Sequence, residues 1–326
     1  MIISKTPLRI SFVGGGSDLP AYLKQNDGAV LSTSIDKFVY VSINNKFKKG
    51  IRLAYSEIEE IQKIRHIKHN VIKQTLLFFS KLNNIEITST ADIPSKGSGL
   101  GSSSAFTNGL VNSISHYQKN KINKKKLAEI SSFIEIIKCK QHIGYQDQYA
   151  TAYGGFNLIE FSKSRIKVNP IKCSHNTIKE LQKNIIIFNT NIDRKASVVL
   201  KKQQENIFKN PILNHSVDKM VNFAYLLKNE LEKDRLINFG SILNENWELK
   251  KSLSKNISNE IIDHYYYKGL KNGAIGGKLL GAGNGGFLLF YAKKENHPKL
   301  IKALKGLEYT NIKFENNGSK IIYDDT

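Results

Sequence analysis

Residues 94–105 read PSKGSGLGSSSA, and no other stretch restricts the fold as tightly. The segment is too rich in glycine and serine to continue a strand or a helix. It lies between a β-patterned run, Ile85–Thr90 (IEITST), and an amphipathic run, Ser102–Tyr117, so the sequence predicts a strand-loop-helix unit. Glycines there permit left-handed backbone angles and leave amides open to an anion. The following helix would aim its free amides and positive dipole end at the same point. Hydroxyls at Ser102, Ser103 and Ser104 add partners for phosphate or magnesium. The segment therefore reads as a triphosphate cradle built from Pro94, Lys96, Gly97, Ser98, Gly99, Leu100, Gly101, Ser102, Ser103 and Ser104. The plainer reading is a flexible loop ending in a serine cap. No Lys-Ser or Lys-Thr pair follows the last glycine, so the Walker type of loop is disfavoured.

Around this unit the periodicity predicts a β-rich start (Leu8–Val13, Ala29–Ser34, Phe38–Phe47), a helix over Glu57–Leu82, another over Lys124–Lys138 and a strand at Phe156–Phe161. A strand at Ile185–Phe188 opens a second part, with helices over roughly 195–270, paired strands at Gly277–Leu280 and Phe287–Ala292, and a last helix with strands. With 326 residues and 40% hydrophobic content, two closely packed lobes are expected, 1–183 and 184–326, with a cleft between them.

The 49 Lys and Arg against 28 Asp and Glu leave a charge of +21, which favours anionic partners of any kind. Runs such as KNKINKKK (119–126) and KIRHIK (63–68) read as solvated faces. A nucleic-acid-binding protein is the rival class, but it would need an aromatic-basic surface that the pattern does not display. Cys139 and Cys173 lie far apart, which supports neither a disulfide framework nor a zinc ribbon. No run of about 18 apolar residues and no leader pattern is visible, so a soluble, cytoplasmic protein is expected, with no membrane partner and its oligomeric state open.

Two further segments carry glycines beside polar groups. In KTPLRISFVGGGSD (5–18), a strand bearing Arg9 runs into Gly14, Gly15 and Gly16, then Ser17 and Asp18. Such a turn can present Asp18 to sugar hydroxyls, although a simple turn with Asp18 as a helix cap serves as well. GGKLLGAGNGGF (276–287) contains G-x-G-x-x-G, which in a dinucleotide fold must open a helix. The next residues, FLLFY, read as a strand, so the glycines, Gly283 and Gly285 among them, are expected in a tight hairpin approaching substrate or phosphate. Two acids stand out as well, Glu135 on a predicted helix and Asp147 in GYQDQYATAYGG. Their ordinary readings are a solvated helix acid and a cap on a short helix, 148–153. His66 and His69 read as surface histidines, and no structural metal is expected.

In order, the three glycine segments resemble the three motifs of the GHMP kinases, the superfamily of galactokinase, homoserine kinase, mevalonate kinase and phosphomevalonate kinase. Gly99-Leu100-Gly101-Ser102-Ser103 is the most specific part of the match. Within the superfamily, the first and third segments and GYQDQYATAYGG are most similar to the D-glycero-D-manno-heptose 7-phosphate kinase group. That group phosphorylates an anomeric hydroxyl to give the 1,7-bisphosphate, for capsule or lipopolysaccharide heptose. The resemblance implies an α+β fold, with an N-terminal ribosomal-protein-S5-domain-2-like lobe that binds nucleotide and a C-terminal ferredoxin-like lobe. It also implies ATP and Mg2+ as cofactors. Asp147 would accept the hydroxyl proton beside Arg9, Ser103 and Glu135 would hold magnesium, and Asp18, with Gly15, Gly16 and Ser17, would meet the sugar. Arg194 and Lys195 are candidates for the substrate phosphate. Ser104 stands where many members have alanine, which leaves open which hydroxyl of 102–104 meets the metal. A fucose-type sugar and a mevalonate-type alcohol remain alternative acceptors.

Overall fold

Strands β1 (Ile2–Val13) and β2 (Gly28–Asn45) pair antiparallel along almost their whole length and carry the rest of the first sheet. The structure is a computed structural model that describes residues 1–80, 82–93, 97–192 and 196–325, except for the side chains of 196–198, 207–209 and 211. Where two strands were expected over 29–47, β2 runs through without a break. A register shift opposite it, at Pro7/Leu8, absorbs the irregularity at a residue with no N–H to donate.

The first half of the chain contains α1 (Pro20–Leu23), β3 (Ile51–Ala54), β4 (Ile58–Ile61), α2 (Asn70–Phe79), β5 (Ile85–Ala91), α3 (Ser102–Tyr117), α4 (Lys124–Ser132), α5 (Gln146–Tyr153), β6 (Phe156–Phe161), β7 (Ile166–Pro170) and α6 (His175–Lys183). The expected helix over Glu57–Leu82 is therefore corrected, because it opens on β4 and turns helical as α2 only from Asn70. Glu59 on that strand accepts from Lys68 N at 2.8 Å and Tyr55 OH at 2.8 Å, which folds the chain back before a helix can start. The helix begins where His69 caps it, its Nδ1 accepting from Ile72 N at 3.4 Å. The expected helix 124–138 also changes character, from α to a π-helical turn over Phe133–Lys138.

The second half contains β8 (Ile185–Asn189), α7 (Ala196–Lys209), α8 (Pro211–Glu232), α9 (Phe239–Ser252), α10 (Glu260–Lys271), β9 (Gly276–Leu279), β10 (Phe287–Tyr291), α11 (His297–Ala303), β11 (Glu308–Thr310) and β12 (Lys320–Asp324). The first sheet has the order β12-β1-β2-β5-β3-β4, with β6 also on β2 and β7 beyond it, and the second has the order β11-β8-β10-β9. The architecture is α+β. Strand β12 returns from the C-terminal end to pair with β1, so the first sheet holds residues from both ends of the chain.

Helix α3 lies across β1 and β2, where Ser4 Oγ donates to Gly109 O at 2.8 Å. Phe12 on β1 meets Phe156, Phe239 and Phe314 edge-on, with centroids 5.6, 5.2 and 6.4 Å away, and so joins α9 to the first sheet in one apolar core. Among the described residues no helix is long and apolar enough to cross a membrane. Both cysteines are free.

Candidate active site

The glycine-serine loop is held from both sides. Arg9 on β1 donates its backbone N–H to Leu100 O at 2.9 Å and its Nη1 to Gly99 O at 2.6 Å, while Phe287 N, at the start of β10, donates to Ser98 O at 3.2 Å. All three glycine segments therefore converge here. Gly101 caps α3 at φ 74°, and a Cβ on it would stand 3.0 Å from Arg9 Cγ. Glycine is required there both for the left-handed angle and for the approach of Arg9. The first turn of α3 then presents Ser102, Ser103 and Ser104, with Ser102 Oγ 3.2 Å from Ser98 Oγ. Pro94, Lys96, Arg194 and Lys195 lie outside the described residues.

Asp147 sits in the first turn of α5 and Arg9 grips it with both arms of the guanidinium. Nε donates to Oδ1 at 2.8 Å and Nη2 to Oδ2 at 2.7 Å. Arg9 is 3% exposed and Asp147 is 27% exposed, so the pair is backed by protein while the carboxylate still reaches the cavity.

Glu135, carried by the π-helical turn, is fully buried rather than a solvated helix acid. It accepts from Ser103 Oγ at 2.9 Å, Ser104 Oγ at 2.7 Å and Gln148 Nε2 at 2.6 Å. It thereby clamps the start of α3 to the helix that carries Asp147. Burial pushes its carboxyl up, against the pull of those donors. Octahedral magnesium, with ligands at about 2.0–2.1 Å, separates neighbouring ligand oxygens by about 2.9 Å. Ser103 Oγ and Glu135 Oε1 stand at that separation because they share a hydrogen bond, which an ion held by both would replace, and of the two only Ser103 is on the cavity wall.

Asp18 lines the same cavity but is largely occupied by the protein. It accepts from Gly16 N at 3.1 Å, Gln146 N at 3.1 Å and Gln146 Nε2 at 3.2 Å. It pins the first glycine segment to the residue before Asp147. A Cβ on Gly144 would stand 1.9 Å from Asp18 Oδ2. Gly144→Ala is therefore expected to expel the Asp18 carboxylate and lower kcat/KM by at least an order of magnitude; steady-state kinetics with a normal far-UV spectrum would check this.

Burial is the first cause raising the carboxyls of both Asp18 and Glu135. The folded chain then keeps protons that the unfolded chain releases near pH 4, so these groups make stability fall as pH rises from about 4 towards their raised values. Relative to the parent, Asp18→Asn should gain melting temperature as pH rises through that window. A pH-independent difference would mean that Asp18 titrates normally in the fold.

The cavity, about 430 Å³, is lined by Arg9, Asp18, Asp147, residues 97–99 and 101–104, by Gln141, Ile143, Gly144 and Gln146 from the polar segment around Asp147, by Gly281 and Ala282 of the third glycine segment, and by two residues that no motif carried, Leu200 and Lys250. Gly16 lines it as well. Ser17 is buried behind, donating to Gly14 O at 2.8 Å. Gly283 packs on Ile257, and neither it nor Gly285 is on the wall, because Gly281 and Ala282 hold that part of the hairpin. Nothing in the local sequence distinguishes Lys250 from its neighbour Lys251. Only the packing of α9 reveals that it is 4% exposed.

A second cavity, about 740 Å³, shares Ser102 and Ser103 with the first and is walled by Tyr55, His69, Phe106, Val39, Val71 and Ile93. His69 is thus not a surface histidine. Its ring stands 4.8 Å from Tyr55 and 5.4 Å from Phe106, and burial holds its imidazole below the ordinary range.

Residues 67–155 match the GHMP kinases N terminal domain. The chain is 28% identical to the D-glycero-alpha-D-manno-heptose 7-phosphate kinase of Campylobacter jejuni over 93% of each chain. It is 26% identical to the bifunctional fucokinase/GDP-fucose pyrophosphorylase of Arabidopsis thaliana, over 91% of this chain and 30% of that one. Among solved structures, a sugar kinase from Campylobacter jejuni superposes with a TM-score of 0.79 at 27% identity, over 98% of this chain and 97% of that one. Residues 67–155 thus match a domain of the GHMP kinases, and nearly the whole chain is similar to sugar kinases, which are phosphotransferases. Its fold is shared with a D-glycero-D-manno-heptose 1-phosphate kinase from Bacteriodes thetaiotaomicron, with a TM-score of 0.82 at 23% identity and full coverage of both chains.

Proposed function

We propose that this kinase transfers the γ-phosphoryl group of ATP to the anomeric hydroxyl of D-glycero-D-manno-heptose 7-phosphate, in the cytoplasm, supplying activated heptose for surface polysaccharide. The observation that carries the reading is the Arg9–Asp147 pair facing the same cavity as the glycine-serine loop. The choice of acceptor is supported by the similarity to the Campylobacter jejuni heptose 7-phosphate kinase.

Phosphoryl transfer needs in-line alignment and neutralised oxygens more than covalent help. The amides of residues 97–101 and the N-terminus of α3 hold the triphosphate. The base of ATP lies in the second cavity, between the Tyr55–His69–Phe106 rings and the apolar wall. Magnesium, when bound, supplies charge neutralisation at the phosphates, and Ser103 and Glu135 would hold it. Asp147 takes the proton from the acceptor hydroxyl, and Arg9 fixes the carboxylate so that one oxygen edge faces that hydroxyl. Residues 1–183 form the nucleotide lobe and 184–326 the second lobe, with β12 returning to the first sheet.

A coupled assay of ADP release with heptose 7-phosphate, fucose, galactose, mevalonate and homoserine tests this. Heptose 7-phosphate is expected to give a kcat/KM at least about 100-fold above any other. A higher value for fucose or mevalonate would overturn the acceptor while leaving the kinase.

A further inference from the structure

A helix of eight residues is marginal on its own, so the place of α5, and of Asp147 in its first turn, is set by what holds its two ends. The carboxylate end is held by Arg9 of β1. The other end is held by residues 315–319, a stretch that leads into β12 from the far end of the chain. Ser319 N donates to Thr151 O at 3.1 Å, which gives a partner to one of the last carbonyls that a helix cannot satisfy by itself. Just beyond the helix, Gly155 N donates to Glu315 O at 2.8 Å. The two backbones touch here. A Cβ on Gly318 would stand 2.0 Å from Ala152 O, and one on Gly154 would stand 2.1 Å from the carbonyl carbon of Asn317.

Ser319 is fixed in turn by its hydroxyl, which shares a hydrogen bond of 2.8 Å with Thr6 Oγ1 and accepts from Asn112 Nδ2 at 3.1 Å. Thr6 is on β1, three residues before Arg9. Within α5, Thr151 Oγ1 donates to Asp147 O at 2.8 Å and accepts from Asn108 Nδ2 of α3 at 2.7 Å. A closed ring results, running from Thr6 through Ser319, Thr151 and Asp147 to Arg9 and back along β1. Asn108 is fully buried and also donates to Gln148 O at 2.8 Å, which ties the ring to the helix that begins with the serine run. Neither Thr151 nor Ser319 is on the wall of the two cavities, so each can act on the reaction only through other residues.

We propose that Thr151 is a positioning residue and that the C-terminal segment 315–319 clasps α5 through it, setting the direction from which the Asp147 carboxylate meets the acceptor hydroxyl. The proposal rests on the reading of Asp147 as the proton acceptor. A misplacement of about 1 Å at the reacting groups can cost on the order of 100-fold in rate, so bonds this far from the cavity can govern kcat.

Thr151→Val removes the hydroxyl at nearly constant volume, and Ser319→Ala frees the tail from Thr6 and Asn112 while keeping its backbone bond. On the acceptor that the parent phosphorylates, Thr151→Val should lower kcat by about 10- to 100-fold and Ser319→Ala by about 3- to 10-fold, with the KM for ATP within about twofold. Thr151→Ser, which keeps the hydroxyl, should stay within about threefold of the parent. In an Asp147→Asn background, Thr151→Val and Ser319→Ala should each change kcat by less than about twofold, because the carboxylate they place is gone. A kcat for Thr151→Val within twofold of the parent, a loss that Thr151→Ser shares, an equal rise in the KM for ATP, or the same loss in the Asp147→Asn background would each overturn the proposal. If melting temperatures show that Thr151→Val does not fold, Ser319→Ala decides by its loss in kcat and by the disappearance of that loss in the Asp147→Asn background. Should Asp147→Asn alone keep the parent kcat, the reading of Asp147 as proton acceptor fails, and the clasp fails with it.

Discussion

Asp147→Asn is expected to lower kcat by about 10²- to 10⁴-fold while leaving the KM for ATP within about twofold. Asparagine keeps the shape and one acceptor for Arg9 but cannot take a proton. The carboxylate is held by two bonds, at 2.8 and 2.7 Å, of which the amide keeps one, so the change removes basicity and part of the grip of Arg9 together. A steady-state comparison under saturating ATP reads the effect. A fall of less than about threefold would mean that the enzyme works by alignment alone, with Arg9 and the loop supplying the catalysis.

Glu135→Gln should act on two readouts together. Glutamine brings an amide donor to a place where Ser103, Ser104 and Gln148 all donate, so at least one buried donor loses its acceptor. That costs about 1–3 kcal/mol and should appear as a lower melting temperature. Turnover should fall by about 10- to 100-fold, and half-saturation by magnesium should shift to higher concentration. An unaltered magnesium titration with reduced stability would reduce Glu135 to a clamp between α3 and α5. A loss in both places would make it clamp and ligand at once.

The glycine motifs and the regular elements beside them were legible from the chain alone. Helix α3 starts and ends where its period and preceding glycines indicate, at Ser102 and Tyr117, and the hairpin after β9 turns where Gly281–Gly286 demand it. What failed was set by tertiary bonds. The run after Glu57 has enough helix formers to look helical, yet the carboxylate of Glu59 draws Lys68 N and Tyr55 OH to itself and leaves a strand there. Glu135 has the spacing of a solvated helical acid, and its burial follows from a π-helical turn that no simple period predicts.

The candidate site divides in the same way. Residues carried by motifs, Arg9, Asp18, Ser103 and Asp147, meet around one cavity. Lys250 and Leu200 come from segments with no glycine signature, and only the placement of α9 and α7 beside the cavity brings them in. Tyr55, His69 and Phe106 were likewise invisible as a group, because three separate elements contribute one ring each.

The most direct test is ³¹P NMR of the reaction of the purified protein with Mg-ATP and heptose 7-phosphate. The account predicts a second phosphate resonance coupled to the anomeric proton, together with stoichiometric ADP and the original 7-phosphate signal retained. ADP without a new sugar phosphate, or a new phosphate on any carbon other than the anomeric one, would contradict it.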